Sequence, residues 1–378
     1  MTLFGTVIYE RAYYHCSECK TGHCPTDAEF GLEHKLTLAA QELITLAGVL
    51  EPFAENGETV LPRMSGLHIS ASTVRRTTEA TGADVAGRRA AGEVFCGGTL
   101  WQWHTDRQGK RVAYASLDAT GVLQQGPGGR KAEGRMPWVA AVFNPWPASR
   151  KKHKKHRRRE RRQHQLRQVR YVSGLMSLPG IGGQLRRECQ TVGISRAEIV
   201  ICLTDGGNGL EDCLLNALAG LGPRIVFVLD FYHVTEHLRE FAKLWVPDED
   251  LRREQVRAWC RTLKRRGGAA LVEELSALKI SMTTAGVQAS YHELLGYLRN
   301  NLHRMDYPTY IATGWQIGSG VIEAACKTVV GRRMKCSGMR WSERQTTPMC
   351  QLRAMYRSSP NLWADYWHRI ARKTCPRI

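Results

Sequence analysis

Long apolar runs are missing from this 378-residue sequence. None approaches the roughly 18 residues that a membrane-spanning helix needs. The opening MTLFGTVIYER has neither the basic start nor the apolar middle of a secretory signal. These absences set the expectation of a soluble, cytoplasmic protein with no membrane partner. Internal repeats are missing too. Acidic residues are the scarcer charged class: Lys and Arg number 54 against 35 Asp and Glu, a net charge of +19. Such an excess favours a polyanionic partner. With no amphipathic anchor or lipidation signal to suggest a membrane surface, the partner expected is nucleic acid.

A second cysteine pair is also missing. YYHCSECKTGHCPTD (13–27) holds Cys16 and Cys19 as a CxxC, with His15, His23 and Cys24 close by. Two thiolates at this spacing suit half of a tetrahedral zinc site, and no distant CxxC supplies the other half. Either His23 and Cys24 complete a cramped site, or the stretch is metal-free. The remaining cysteines are scattered and are expected to be reduced thiols, mostly in the core.

What is there is a chain long enough for two or three domains, 43% hydrophobic. Leu36, Ala39, Leu43, Ile44, Ala47 and Leu50 fall at helical spacing. SGLHISASTVRRTTEATG (65–82) reads as a turn and then a helix, with Ser70 or Ser72 as N-cap. Arg75 and Arg76 project from it, a pattern compatible with helix-turn-helix DNA binding. AGRRAAGEVFCGGTL (86–100) reads as a linker. RVAYASLDATGVLQQ (111–125) is an alternating strand ending at Asp118, and MPWVAAVFNP (136–145) is a second strand. Between 149 and 167 lies SRKKHKKHRRRERRQHQLR, where Glu160 is the sole acid. Its Lys151, Lys152, Lys154, Lys155, Arg157 and Arg158 read as a basic loop lying on phosphate, the alternative being a solvated tail.

Further on, AEIVICLTDGGNGL (197–210) is a strand ending at Asp205, and LEDCLLNALAGL (210–221) is a short helix. PRIVFVLD (223–230) is another strand. Strand, helix and strand with short connections imply a parallel pair in an α/β sheet. Residues from about 248 to 310 are helical in pattern and read as an insertion. The closing segment reads as a helix from Val321, a basic loop and a last helix.

Asp118 and Asp205 each end an apolar strand before a small-residue turn, and Glu323 opens a helix behind Gly318 and Gly320. In an open α/β sheet, the carboxyl ends of adjacent strands converge on one edge, where sites form. Carboxylates gathered there stay ionised if a cation sits between them, and hard oxygen donors suit Mg²⁺ or Mn²⁺. Singly, each acid also has a local reading, as a turn residue, a strand-to-helix cap or an ion-paired first-turn acid. VLDFYHVTEHL (228–238) poses the same choice. Asp230 caps the helix that follows, with His233 and His237 on its partly wet face, or the stretch belongs to the site.

LTDGG (203–207), VLDFYHVTEHL and GSGVIEAACKTVVGRRMKCSGMRWS (318–342) together resemble bacterial insertion-sequence transposases of the Kra type, within the Mutator-like group of DDE transposases. The resemblance runs from about Tyr13 to Trp367. RAYYHCSECKTGHCPTD is similar to that family's zinc-knuckle segment, and SGLHISASTVRRTTEATG to its helix-turn-helix. The family implies an α/β, RNase H-like catalytic domain interrupted by an all-α insertion. By that resemblance Asp118, Asp205 and Glu323 are the first, second and third acids of a triad binding Mg²⁺ or Mn²⁺. Asp230 and His233 match an Asp-x-x-His signature, in which His233 bonds near the active site or to DNA and Asp230 orients it. Asp230 in place of Asp205 as metal ligand stays open, and His237 is expected to be structural. In the family, cysteines further toward the N-terminus pair with the CxxC. None precedes Cys16 here, so zinc at Cys16 and Cys19 implies an incomplete knuckle or a truncated copy.

The expected layout is a zinc-knuckle-like segment at 1–30 and a helical, helix-turn-helix region at 31–90. The catalytic domain follows at 108–240 with its basic loop at 150–170, then a helical insertion at 241–314, and the rest of the catalytic domain at 315–378. The expected function is DDE transposition: cutting and joining DNA at element ends by two-metal chemistry, in a homo-oligomer when two ends are paired. Arg75, Arg76, the basic loop, Lys327, Arg332, Arg333 and Lys335 are the expected DNA contacts. The rivals are a non-catalytic DNA-binding protein derived from such a transposase, and a nuclease of the same fold without strand transfer.

Overall fold

The computed structural model describes residues 1–3, 5, 7–30, 32, 36–95, 100–145, 166–280, 283–360 and 362–374. Helix α1 (Leu38–Leu50) starts where the Thr37 hydroxyl accepts from Ala40 N, and it buries Ala40, Ile44, Ala47 and Val49. A short helix, Leu61–Ser65, ends in a left-handed turn at Gly66. Ser70 then caps α2 (Ala71–Ala90), accepting from Thr73 N at 3.2 Å. Ser70 is therefore the cap, and helix, turn and helix follow one another as expected. α2 runs further than the sequence suggests. Residues 86–90, read as linker, are helix, because Arg89 is buried against Glu188 at 3.5 Å and fixes the end of α2 to the next layer.

The central sheet is mixed. In chain order its five long strands are β1 (Arg111–Ala119), β2 (Trp138–Pro145), β3 (Leu166–Gly174), β4 (Ile199–Thr204) and β5 (Arg224–Leu229), and a short sixth, His104–Thr105, pairs antiparallel with β1. They lie in the order β5-β4-β1-β2-β3. β1, β2 and β3 form an antiparallel meander, whereas β4 and β5 run parallel to β1. The parallel pair expected from strand, helix and strand is present. β3 was not expected. Residues 166–170, assigned to the basic loop, form its first half, and Arg170 is buried there, accepted by Pro360 O at 2.9 Å.

Both faces of the sheet are covered, so its strands read as continuous apolar runs. Val112, Tyr114, Ile201 and Leu203 point into one core, and Ala113, Ala115, Val200 and Cys202 into the other. The second core is closed by α3 (Leu178–Thr191) and α4 (Leu210–Leu218), through Ile181, Leu185 and Leu214. The first is closed by α5 (Phe231–Trp245), α6 (Glu249–Ser276), α7 (Ala285–Asn300), α8 (Tyr307–Thr313) and α9 (Gly320–Ala325). Asp248, Thr284 and Asp306 cap α6, α7 and α8 with their side chains. Phe241, Trp245 and Trp259 stack between α5 and α6.

After α9 the chain stays helical through a wide turn at Cys326–Gly331 and on to Arg332–Met334. The last helix of the expectation is two, α10 (Glu343–Arg357) and α11 (Leu362–Thr374). They pack on the N-terminal helices through Val49, Val85, Leu352, Met355, Trp363 and Trp367. Among the described residues no helix is long and apolar enough to cross a membrane.

Candidate active site

Strand register sets the site. β1 and β4 pair Ser116 with Leu203, and two residues further along each strand stand Asp118 and Asp205. β4 and β5 pair Leu229 with Thr204, and one residue further stand Asp230 and Asp205. Three aspartates thus end three adjacent parallel strands at one level of the sheet.

Asp118 is half-buried. Its Oδ1 accepts from Ala119 N at 2.6 Å, and its Oδ2 faces Cys326 Sγ at 3.6 Å. Burial raises its pKa, and the charge of Asp205 adds to the rise; the Ala119 N–H, Cys326 and His233 oppose it. The Cys326 thiol is pushed up in turn, by burial first and then by Asp118. Asp205 folds back on its own loop, Oδ1 accepting from Gly207 N at 2.9 Å, while Tyr297 of α7 donates to its carbonyl at 3.0 Å. Gly206 between them has φ +95°, and a Cβ there would stand 3.1 Å from Leu229 and 3.3 Å from Tyr297. Only glycine fits so tight and left-handed a turn.

Asp230, 1% exposed, uses both oxygens on structure. Oδ1 caps α5, accepting from Tyr232 N at 2.8 Å, and Oδ2 accepts from the Ser319 hydroxyl. The capping role read from the bare sequence holds. The role of orienting His233 does not: neither oxygen bonds to it, because the N-terminus of α5 and Ser319 take the carboxylate. Phe231 N also donates to Ile317 O at 2.8 Å. Gly318 lies so close to the Tyr232 ring that a Cβ would come within 2.6 Å. These contacts hold the turn that launches α9, and with it Glu323, against the end of β5.

Glu323 itself faces out. Its side chain is 47% exposed and pairs with Lys327 at 3.9 Å, four residues on. Cys326, three residues after Glu323 and just past the end of α9, touches Asp118 instead. The three acids of the expected triad therefore share one edge of the sheet, and Asp118 feels the charge of Asp205.

Further residues pack around this edge. His233 and His237 approach Nε2 to Nε2 at 3.3 Å, and His237 lies against Tyr297 with ring centroids 4.1 Å apart. Burial lowers the His237 pKa, helped by His233. His237 is thus part of the group behind the acids. Arg304 is buried, bonding Thr204 Oγ1 at 3.1 Å and Glu211 at 3.0 Å, and it braces the carboxyl end of β4. A cleft of about 340 Å³ opens beside Asp205, between Gly206, Gly207, Asn208 and Tyr297, Asn300, Asn301. An arginine beside a strand end or an asparagine on a helix has no spacing that marks it in advance.

The expected DNA contacts divide. Arg75, Arg76, Lys327, Arg332 and Lys335 are exposed, and Lys335 reaches Thr120 next to Asp118. Arg333 is a correction. It is 1% exposed, with Nε donating to Gly48 O at 2.8 Å and its guanidinium 4.6 Å from Phe53 and 4.9 Å from Trp341. Packing takes it out of reach of a phosphate. Lys151, Lys152, Lys154, Lys155, Arg157 and Arg158 lie outside the described residues.

Cys16 and Cys19 sit at the turn of a small hairpin, Tyr14–His15 with Gly22–His23. Cys19 Sγ lies 2.7 Å from Thr21 Oγ1, and that contact lowers its pKa. His23 and Cys24 do not join them: among the described residues no group of three or more His, Cys, Asp or Glu is placed to hold a metal ion. Asp118 and Asp205 still suit a hard divalent cation by donor chemistry. A cation there offsets the burial and repulsion that raise the Asp118 pKa. Glu323 joins them only by turning away from Lys327. No protein-family model matches this chain, and no curated protein matches it.

Proposed function

We propose that this chain is a DDE transposase of a bacterial insertion sequence, cutting and joining DNA phosphodiester bonds at the ends of its element. The observation that carries the reading is the register of the sheet: it puts Asp118 and Asp205 side by side at the carboxyl ends of β1 and β4, with the start of α9 tied to the same edge. The six-stranded mixed sheet, followed by an all-helical stretch and then by α9, supports an RNase H-like catalytic domain with a helical insertion. The formal charge of +19 supports DNA as the partner.

Each residue has a role in this reading. Asp118 and Asp205 hold a divalent cation, Mg²⁺ or Mn²⁺, and Glu323 completes the set when DNA displaces Lys327. The cation supplies Lewis-acid charge at the scissile phosphate. Asp230 and Ser319 position Glu323. Arg75, Arg76, Arg332 and Lys335 hold phosphates on either side, and two copies act together when two ends are paired.

The test uses duplexes spanning the DNA on either side of the protein's own gene, with Mg²⁺ or Mn²⁺ and with EDTA. Cuts at defined positions that need the metal and vanish in Asp205→Asn, while binding persists, support the reading. Equal cutting by the variant overturns it. A second reading, a DNA-binding protein without catalysis, draws on the Glu323–Lys327 pair, which leaves the third acid facing solvent. Binding to element ends without cutting is its signature, and cuts without joined strands are that of a nuclease.

A further inference from the structure

Helix α6 carries a row of arginines that no role above uses. Residues 255–272 contain five Lys and Arg and no acid. Arg257, Arg261 and Arg265 recur every four residues, so they stack along one flank of the helix, and all three are exposed. The opposite side of α6 is its packed face, through Val256, Trp259 and Leu263. One turn before Arg257, Arg253 is neutralised by Glu249 and Asp250. The next three are not: among the described residues no ion pair or hydrogen bond involves the side chain of Arg257, Arg261 or Arg265.

Like charges four apart on a helix repel one another and disfavour it. A row of unneutralised guanidiniums is therefore a cost to folding that a polyanion removes. The row has a suitable length. Eight residues at about 1.5 Å each span about 12 Å, which covers three to four phosphates of one DNA strand at about 3.4 Å per phosphate. It also has a direction. Lys264, next to the last arginine of the row, places Nζ 4.5 Å over the ring of Phe231, the residue after Asp230, so this end of the row is the one toward the acidic edge.

We infer that Arg257, Arg261 and Arg265 form a phosphate-binding track on the helical segment, which grips the DNA backbone of the duplex leading to the acidic edge. This rests on the DNA-binding reading and adds a second grip, separate from α2. The contacts are to backbone, so the track holds and orients DNA without reading sequence.

The experiment measures binding of a labelled duplex of unrelated sequence by fluorescence anisotropy over a salt series. It compares the full chain, the triple variant Arg257→Gln/Arg261→Gln/Arg265→Gln, and Arg253→Gln. Each phosphate contact contributes about 0.9 to the slope of log affinity against log salt. The triple variant is expected to lose roughly 2 to 3 from that slope, and roughly tenfold or more in affinity at low salt. Arg253→Gln, already neutralised, is expected to match the parent. All three changes are on exposed side chains, and a thermal melt equal to that of the parent confirms the fold. A folded triple variant with the parent's slope overturns the track while leaving DNA binding intact. Loss of the same size in Arg253→Gln also overturns it, because general charge and not the row would then be responsible. A parent chain whose binding to DNA does not depend on salt overturns the track together with the DNA-binding reading.

Discussion

Ser319 donates its hydroxyl proton to Oδ2 of Asp230, and that contact joins the start of α5 to the start of α9. Both residues are buried, so neither partner finds water if the other is removed. Ser319→Ala leaves a carboxylate oxygen buried without its donor, a loss of about 1–3 kcal/mol of stability. Denaturant unfolding reads it directly. Because α9 carries Glu323, metal-dependent cutting is expected to fall further than the stability loss alone explains. A variant as stable and as active as the parent contradicts the bracing role.

A pH dependence follows from Asp118. Its folded pKa is raised, by burial first and by Asp205 next. An acid with a raised folded pKa holds its proton more tightly in the folded state. Its favourable contribution is therefore present below the unfolded pKa, about 3.9, and is lost as pH rises through the folded value. In EDTA the parent is expected to lose stability over that rise relative to Asp118→Asn, which has no charge to bury. Thermal melts of the two across acid to neutral pH check this, and parallel curves contradict it.

The buried charges at the foot of α2 give a larger effect. Glu188 lies 3.5 Å from Arg89 and 3.9 Å from Arg170, and all three side chains are almost fully enclosed. Glu188→Ala removes the buried carboxylate that faces the Arg89 guanidinium, which costs about 3–5 kcal/mol. Urea unfolding is the measurement. A loss below about 1 kcal/mol contradicts the pairing.

Arg333 and Lys335 separate packing from binding two residues apart. Arg333→Ala removes a guanidinium held between Phe53 and Trp341 and the bond to Gly48 O, and is expected to destabilise by about 2 kcal/mol. Lys335→Ala is expected to leave stability unchanged and to weaken DNA binding in a salt-dependent way. Melts and anisotropy on both variants decide, and the reverse pattern contradicts the assignment.

The sequence carried much of the architecture because the signals were local. Ser70 and Asp230 are caps legible from residue type, and the apolar runs ending at Asp118, Asp205 and Asp230 are strands covered on both faces. β3 was hidden because Arg167 and Arg170 continue the charge of the preceding block, and burial of Arg170 against Pro360 depends on a segment 190 residues away. The extent of α2 was hidden for the same reason: Arg88 and Arg89 look solvated until Glu188 is brought beside Arg89. Arg333 shows the limit most clearly, since a basic run does not say which of its members points inward. Ser319, Tyr297 and Cys326 meet the acids only through the tertiary fold, and no spacing in the sequence announces them.

The side chain of Glu323 pairs with Lys327 and not with Asp118 or Asp205. The most direct test is metal-dependent cutting of the element's flanking duplexes by Glu323→Gln beside Lys327→Ala. The account predicts that Glu323→Gln binds DNA and does not cut, while Lys327→Ala, which frees the carboxylate, still cuts. Cutting by Glu323→Gln at the rate of the parent would contradict a three-acid site.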